Sequence, residues 1–392
     1  MKLLIVTNDF PPRVGGIEDF VRQLAEHLRP TTTSVILAPR HRDAAAFDRT
    51  FPQKVIRWPA FPMLPTPRLA REVSRLCRVE RADAVLFGAA LPVALIAGAV
   101  ARRTGLPIVA CTHGVEPVAA RLPGGRLLMQ YIARHVTLLT AVSQWAEHHL
   151  RAALGPDVRI EQLPSGIDSM RFRPDISGDA IRLRYGLEPG PVIVCLSRLV
   201  ARKGQDQLIR ALPRIAAAFP AVKLLIVGDG PDRRRLQRLV RRERVADRVV
   251  FAGIVPADQV ASCLAAGDVF AVPCRSRFFG LENEALGAVF LQAAAVGRAA
   301  IAGRSGGAPE AVIHGETGLV VDDGSATAIG DAVLSLLRAP ARARALGARA
   351  AARVHGDMTW AKMAARLQAW LAQAAASRDR ALRPGPVGRG GA

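Results

Sequence analysis

Short runs of aliphatic and β-branched residues recur along this chain, separated by longer stretches with apolar residues at three- and four-residue spacing. In the first half the short runs fall at residues 3–7, 34–38, 55–57, 84–87, 108–111 and 138–142. Helical spacing occupies 17–28, 68–79, 92–102, 126–135 and 144–154. The runs lack polar alternation, which predicts strands covered on both faces. Their alternation with helices predicts βαβ units on a parallel sheet. The rhythm breaks at Leu163-Pro164-Ser165-Gly166-Ile167-Asp168 and at Phe172-Arg173-Pro174-Asp175, where turn residues concentrate. A second cycle follows, with strands expected at 192–196, 223–227, 249–251, 269–272, 299–302 and 318–321. Its helices are expected at 205–218, 232–242, 284–296, 326–337, 340–354 and 360–376.

This pattern divides the chain into a first domain at 1–165, a second at 166–355, a C-terminal helical segment at 356–376 and a tail at 377–392. The last ten residues, 383–392, are rich in glycine and proline, so the tail is expected to be disordered. Two domains also suit the 392-residue length, which exceeds what one core ordinarily serves. Residues 84–101 form an uncharged run of 18, long enough to raise the question of a membrane span. Pro92 in its middle, after Gly88-Ala89-Ala90, argues instead for a strand, a turn and a helix with proline in its first turn. Two open α/β halves place ligands at the carboxyl ends of their strands, with the cleft between the halves as the expected active site.

Composition changes this picture in two ways. Half the residues are apolar and 22% are charged, which describes a globular chain. The formal charge is +21 and nearly all of it is arginine, with five lysines. Nucleic-acid binding would want clustered cations with aromatics beside them, whereas aromatics are 5% and the arginines are spread. Attraction to an anionic membrane surface fits the spread better, and solvated helix faces account for most individual arginines. The five cysteines, Cys77, Cys111, Cys195, Cys263 and Cys274, lack metal-ligand spacing and read as buried thiols of a reducing compartment. The apolar run after Met1 is too short for a signal peptide.

Several stretches at strand ends carry candidate chemistry. Gly15-Gly16 lies between the first strand and its helix, where backbone amides can meet an anion at a helix N-terminus; a plain βα turn is the alternative. No Gly-x-Gly-x-x-Gly follows that strand, which counts against a dinucleotide-dependent dehydrogenase. After strand 192–196, Arg198 and Lys203 flank a loop into a helix and suit a departing diphosphate, unless they are simply exposed loop cations. The segment from Arg275 to Gly287 runs on into a helix, and Glu284 and Gln292, eight residues apart, are expected on one broad helix face. There carboxylate and amide would meet sugar and ribose hydroxyls, with the amides of Leu286 and Gly287 free for phosphate. A carboxylate that merely favours the helix dipole is the competing account of Glu284. Ser305-Gly306-Gly307 is expected beside this segment, and Gly228-Asp229-Gly230-Pro231 as a structural turn. Thr112-His113-Gly114 ends strand 108–111; a lone histidine there is more often structural than functional.

Together these stretches resemble the retaining GT-B glycosyltransferases of family 4 over about residues 1–375. The likeness is closest to the actinobacterial GDP-mannose-dependent phosphatidylinositol mannosyltransferases. Val6-Thr7-Asn8-Asp9-Phe10-Pro11-Pro12, Ser197-Arg198-Leu199-Val200 with Arg202-Lys203-Gly204-Gln205-Asp206, and Val272-Pro273-Cys274-Arg275 carry it. The resemblance implies a GT-B fold: two Rossmann-like domains, an acceptor domain first and a nucleotide-sugar donor domain second, with the C-terminal helix packing back toward the first. It implies that Gly15 and Gly16 approach the donor diphosphate and that Arg198 and Lys203 hold it. Glu284 would contact the transferred hexose, His113 would lie near the reacting sugar, and the backbone around Val255 would lie by the nucleobase. The family pattern is Glu, seven residues, Glu. Here Gln292 takes the second position, and Ala285 follows the first Glu where glycine is usual. In the family the second Glu accepts from ribose hydroxyls; Gln292 can accept through its amide oxygen but without charge assistance.

The resemblance further implies transfer of mannose from GDP-mannose to an anionic phosphatidylinositol-type lipid, with retention. No cofactor is expected, and no Asp-x-Asp pair is present, so transfer is expected to need no metal. The expected setting is cytoplasmic, peripheral on the inner face of the plasma membrane. Residues 119–135 carry Arg121, Arg126 and Arg134 beside Leu122, Leu127, Leu128, Met129 and Tyr131, a segment suited to an anionic leaflet or to an ordinary amphipathic surface. Arg68 and Arg71 are further candidates for the lipid phosphate, and Thr112 with His113 for the acceptor. A family 4 transferase with another donor or acceptor, a nucleotide-sugar epimerase, and a weakly active or non-catalytic sugar-nucleotide-binding relative remain open alternatives.

Overall fold

The computed structural model describes residues 1–321 and 325–382, with side chains described as far as residue 376. The chain divides into two compact units. The first comprises Met1–Pro164 and the C-terminal helix Trp360–Leu382; the second is Ser165–Thr359.

In the first unit seven parallel strands form one sheet: β1 (Lys2–Val6), β2 (Thr33–Pro39), β3 (Lys54–Trp58), β4 (Ala84–Phe87), β5 (Ile108–Thr112), β6 (Leu138–Ala141) and β7 (Ile160–Gln162). Their spatial order is β3-β2-β1-β4-β5-β6-β7. Leu3, Leu4, Ile5, Val85, Leu86 and Ala110 are fully buried, as strands with helices on both faces require. β7 has no counterpart in the sequence reading, because Ile160-Glu161-Gln162 is three residues long with one apolar side chain. The helices Ala44–Thr50, Val115–Ala119 and Asp179–Tyr185 are likewise too short to show a period.

The second unit repeats the plan. β8 (Val192–Leu196), β9 (Lys223–Val227), β10 (Val249–Gly253), β11 (Val269–Val272), β12 (Ala300–Gly303) and β13 (Gly318–Val321) lie in the order β10-β9-β8-β11-β12-β13, again all parallel. Counted within the unit this is 3-2-1-4-5-6, the Rossmann order, and the first six strands of the first unit share it. In such a sheet the chain turns outward in opposite directions from the first and fourth strands, which opens a crevice at their carboxyl ends. That crevice lies between β1 and β4 in one unit and between β8 and β11 in the other.

The uncharged run 84–101 resolves into β4, a 3-10 turn at Val93–Ile96 and the start of the helix Ala97–Thr104. Among the described residues no helix is long and apolar enough to cross a membrane. The five cysteines are buried free thiols. Burial pushes those of Cys111, Cys195 and Cys274 up to about 12.

The second junction between units falls later than residue 355. The helix Pro340–Asp357 stays with the second unit, and the Ile167 amide donates to the Met358 carbonyl at 2.7 Å. Trp360, Met363, Leu367 and Leu371 then join Phe20, Leu24 and Leu28 in the core of the first unit. The rings of Trp360 and Phe20 meet edge to face at 5.3 Å. The final helix runs to Leu382, into the segment 377–392 expected as a disordered tail; residues 383–392 lie outside the described residues.

Candidate functional site

In the second unit the site grows from the loop after β8. Arg198 leaves the strand end exposed, and the chain then makes a 3-10 turn at Ala201–Lys203. Gly204 follows with φ 74°, and a Cβ there would lie 1.9 Å from the Pro273 carbonyl oxygen. Only glycine lets the β8 and β11 loops close to this distance. Gln205 secures the turn from the helix start: its Nε2 donates to Ser197 Oγ at 2.9 Å and to the Arg198 carbonyl at 3.0 Å. The neighbouring Asp206 receives Arg275 Nη2 at 2.9 Å. Burial raises the Asp206 carboxyl, but the hydrogen bond and charge of Arg275, aided by Arg235, outweigh it and hold the carboxyl below its ordinary value.

Lys203 thereby points inward. Its Nζ donates to Glu284 Oε2, and each residue is only 8% exposed. Glu284 is held from the other side by the turn after β12. Its amide donates to Ser305 Oγ at 3.2 Å, and its carbonyl accepts from the Gly307 amide at 2.9 Å. Gly306 sits between them at φ 51°, where a Cβ would lie 2.0 Å from the Glu284 carbonyl oxygen. The expected adjacency of Ser305-Gly306-Gly307 and the acidic segment is therefore present as hydrogen bonds.

Glu284 and Gln292 do not share a helix face. The helix is Ala288–Ala295, and Gly287 before it takes φ 84°, which stops the helical path short of Glu284. Glu284 belongs to the loop and Gln292, half-buried, to the helix. Leu286 and Gly287 are buried at the helix entrance, and Val255 is half-buried just beyond β10. Gly228-Asp229-Gly230 cradles the β8 loop: the Asp229 carbonyl accepts from Leu199 at 3.0 Å, and a Cβ on Gly230 would lie 2.4 Å from the Leu199 oxygen.

In the first unit Gly15 and Gly16 are exposed at the start of the helix Gly16–His27. A Cβ on Gly15 would lie 2.1 Å from Glu18 Oε2, so the buried Glu18 side chain folds back over that glycine. Thr112 is fully buried and donates its hydroxyl to the Thr140 carbonyl at 2.7 Å, tying β5 to β6. His113 is buried, with Nε2 2.8 Å from the Gly88 carbonyl. A carbonyl only accepts, so Nε2 carries a proton and donates to it. The His113 ring meets Phe20 edge to face at 5.0 Å, and its backbone amide donates to Glu116 Oε2 at 2.9 Å.

Three carboxylates to which the sequence assigned no role gather on this side of the unit: Glu116 at His113, and Asp9, which feels both of them and Glu18. Burial holds the Asp9 carboxyl above its ordinary value, and Glu18 and Glu116 push the same way against Arg13 and His113. Their signal was positional, since Asp9 stands in the loop three residues after β1 and Glu18 three residues after Gly15. Arg68 and Arg71 sit exposed on the helix Pro67–Val79. With Trp58 and Arg75 they line a cavity of about 440 Å³. No group of three or more His, Cys, Asp or Glu among the described residues is placed to hold a metal ion.

The comparisons match this layout half by half. A family model described as Glycosyltransferase Family 4 matches residues 14–171, and one described as Glycosyl transferases group 1 matches residues 180–353. A GDP-mannose-dependent alpha-(1-6)-phosphatidylinositol monomannoside mannosyltransferase of Mycolicibacterium smegmatis is 43% identical over 370 residues, covering 93% of this chain and 97% of that protein. This chain belongs to glycosyltransferase family 4. The glycosyltransferase is also 41% identical to a GDP-mannose-dependent monoacylated alpha-(1-6)-phosphatidylinositol monomannoside mannosyltransferase of Corynebacterium glutamicum, covering 93% of the chain and 96% of the relative. In fold it matches Anabaena Alr3699/HepE, solved in complex with UDP and glucose. That match has a TM-score of 0.81 at 20% identity and covers 95% of this chain and all of the other. The glycosyltransferase thus has the GT-B fold class, with a Rossmann-like sheet in each half.

Proposed function

We propose that this glycosyltransferase moves mannose from GDP-mannose to a phosphatidylinositol-type lipid at a membrane surface, with retention at the anomeric carbon. The observation that carries the donor half is the buried Lys203–Glu284 pair at the strand-order reversal between β8 and β11, with the exposed Arg198 on the same loop. A diphosphate gains negative charge as it departs, and fixed cations in a low-dielectric crevice stabilise that charge. Arg198 offers a fork and Lys203 a point charge. Glu284, anchored through its backbone by Ser305 and Gly307, accepts from hexose hydroxyls. Leu286 and Gly287 bring the amides of the following helix start to the phosphates. Gln292 takes the ribose, and the backbone around Val255 the guanine. These cations do the work a metal does elsewhere, so transfer proceeds in chelator.

Retention without a named nucleophile follows from same-face attack. The C1–O bond to the phosphate breaks, the acceptor oxygen bonds to C1, and its proton passes to the departing phosphate oxygen. His113 stands near the reacting sugar, Gly15 and Gly16 offer amides to an anionic substrate group, and Arg68 and Arg71 attract the lipid phosphate. The names of the mycobacterial and corynebacterial relatives support both substrates. The helix Pro123–Ala133 and its flank expose Leu122, Leu127, Leu128 and Tyr131 beside arginines, which supports peripheral attachment to an anionic leaflet, the inner face of the plasma membrane.

Product analysis with GDP-mannose and phosphatidylinositol, with or without a first mannose, tests this reading. The expected product is an α-mannosylated lipid, formed equally in EDTA. Donor consumed without acceptor would point to an epimerase, and GDP binding without turnover to a non-catalytic relative.

A further inference from the structure

The loop from β11 to the helix Ala288–Ala295 contains a tight hairpin that the proposed chemistry does not use. Arg277 and Glu282 form its base: they make an antiparallel bridge, the Arg277 amide donates to the Glu282 carbonyl at 2.9 Å, and Arg277 Nη1 meets Glu282 Oε2 at 3.0 Å. At the tip Phe278 has φ 50° and Phe279 φ 55°, followed by Gly280 at 78°. A left-handed backbone is disfavoured for any residue with a Cβ and most of all for bulky ones, so turns of this kind ordinarily take glycine or asparagine. The strain is not repaid by burial within the chain. Phe278 is 63% exposed, Phe279 is 100% exposed, and Leu281 beside them is 40% exposed. Two aromatic rings are therefore held outward, in a backbone that opposes them, on a hairpin braced to keep its shape. Strain that persists at a surface tip points to a role outside the chain.

We propose that Phe278 and Phe279 form a membrane-interface anchor of the second unit, entering the headgroup region of an anionic bilayer. Aromatic rings with cations behind them are the side chains this zone accommodates. The Arg277 guanidinium lies 4.6 Å from the Phe278 ring, and the Arg275 amide donates to the Arg202 carbonyl at 2.7 Å, so a second and a third arginine stand at the hairpin's foot. Arg304, exposed after β12, adds a fourth on the same sheet edge. With a net charge of +21 on the chain, the complementary surface is an anionic leaflet. The anchor rests on the lipid-acceptor reading and adds to it a second contact, in the unit that does not carry the helix Pro123–Ala133.

Co-sedimentation of the full chain with vesicles of phosphatidylinositol and phosphatidylcholine, against phosphatidylcholine alone, tests it. The variant is Phe278→Gly with Phe279→Gly, which suits the left-handed backbone and so melts no lower than wild type. Its partition onto the anionic vesicles falls about tenfold, the loss expected for two interfacial rings, while its affinity for GDP stays. In Phe279→Trp, an added emission component shifts to the blue on anionic vesicles and is quenched by brominated lipid. Equal partition of variant and wild type overturns the anchor and leaves the lipid-acceptor reading standing. A fall in GDP affinity with unchanged partition also overturns it and makes the hairpin a donor lid. If wild type ignores both vesicle types, anchor and membrane reading fail together.

Discussion

Lys203 and Glu284 are separated by 81 residues and share one hydrogen bond in a crevice where each is 8% exposed. Removing one partner strands the other charge. Lys203→Met is expected to lower stability by about 3 kcal/mol and to abolish transfer. Lys203→Met with Glu284→Gln regains most of the stability and none of the activity, a contrast that denaturant melts and mannosyl transfer assays read together. A second residue-scale expectation concerns Gln292, whose amide accepts without charge assistance. Gln292→Glu should tighten GDP-mannose binding by roughly 1–2 kcal/mol, measured by calorimetry; equal affinity would remove the ribose role. At this scale the sequence named both partners of the buried pair but not the pair itself. It missed Glu18, because a carboxylate folded over Gly15 leaves no mark on periodicity.

The elements that hold these residues are glycine loops at strand ends. Gly204 and Gly306 each adopt a left-handed backbone and each lie where a Cβ would collide with a carbonyl of the neighbouring loop. Gly306→Ala therefore pushes the Ser305 turn off Glu284. The expected cost is about 1 kcal/mol or more of stability with a several-fold rise in the KM for donor, read from thermal melts and initial rates. A variant with unchanged KM would show that the turn merely closes the loop. These loops were legible because strand, glycine and helix follow one another locally. The helix over Glu284 was misread for the converse reason: residues 284–296 have helical composition, but Glu284 is tied to the β12 turn and the left-handed Gly287 lets the helix begin only at Ala288.

Across the whole molecule, the chain returns to its first unit at Trp360. Trp360, Met363, Leu367 and Leu371 complete a core begun by Phe20, Leu24 and Leu28 more than 300 residues earlier. Trp360→Ala should cost about 3–5 kcal/mol and lower the melting of the first unit, while GDP binding by the second unit survives at temperatures where that unit is folded. Calorimetric scans with and without GDP separate the two transitions; a single unshifted transition would contradict this account.

Repeat, sheet class and chemistry-bearing loops were written in local spacing, because strand period, helix period and glycine's freedom each act within a few residues. Those signals extended to the family, since its motifs are short segments at strand ends. Pairings over long separation were not so written. Which cation meets Glu284, what covers Gly15, and which core receives the last helix depend on how sheets are ordered in space. That order arises from burying many apolar faces at once, and no window of neighbouring residues contains it.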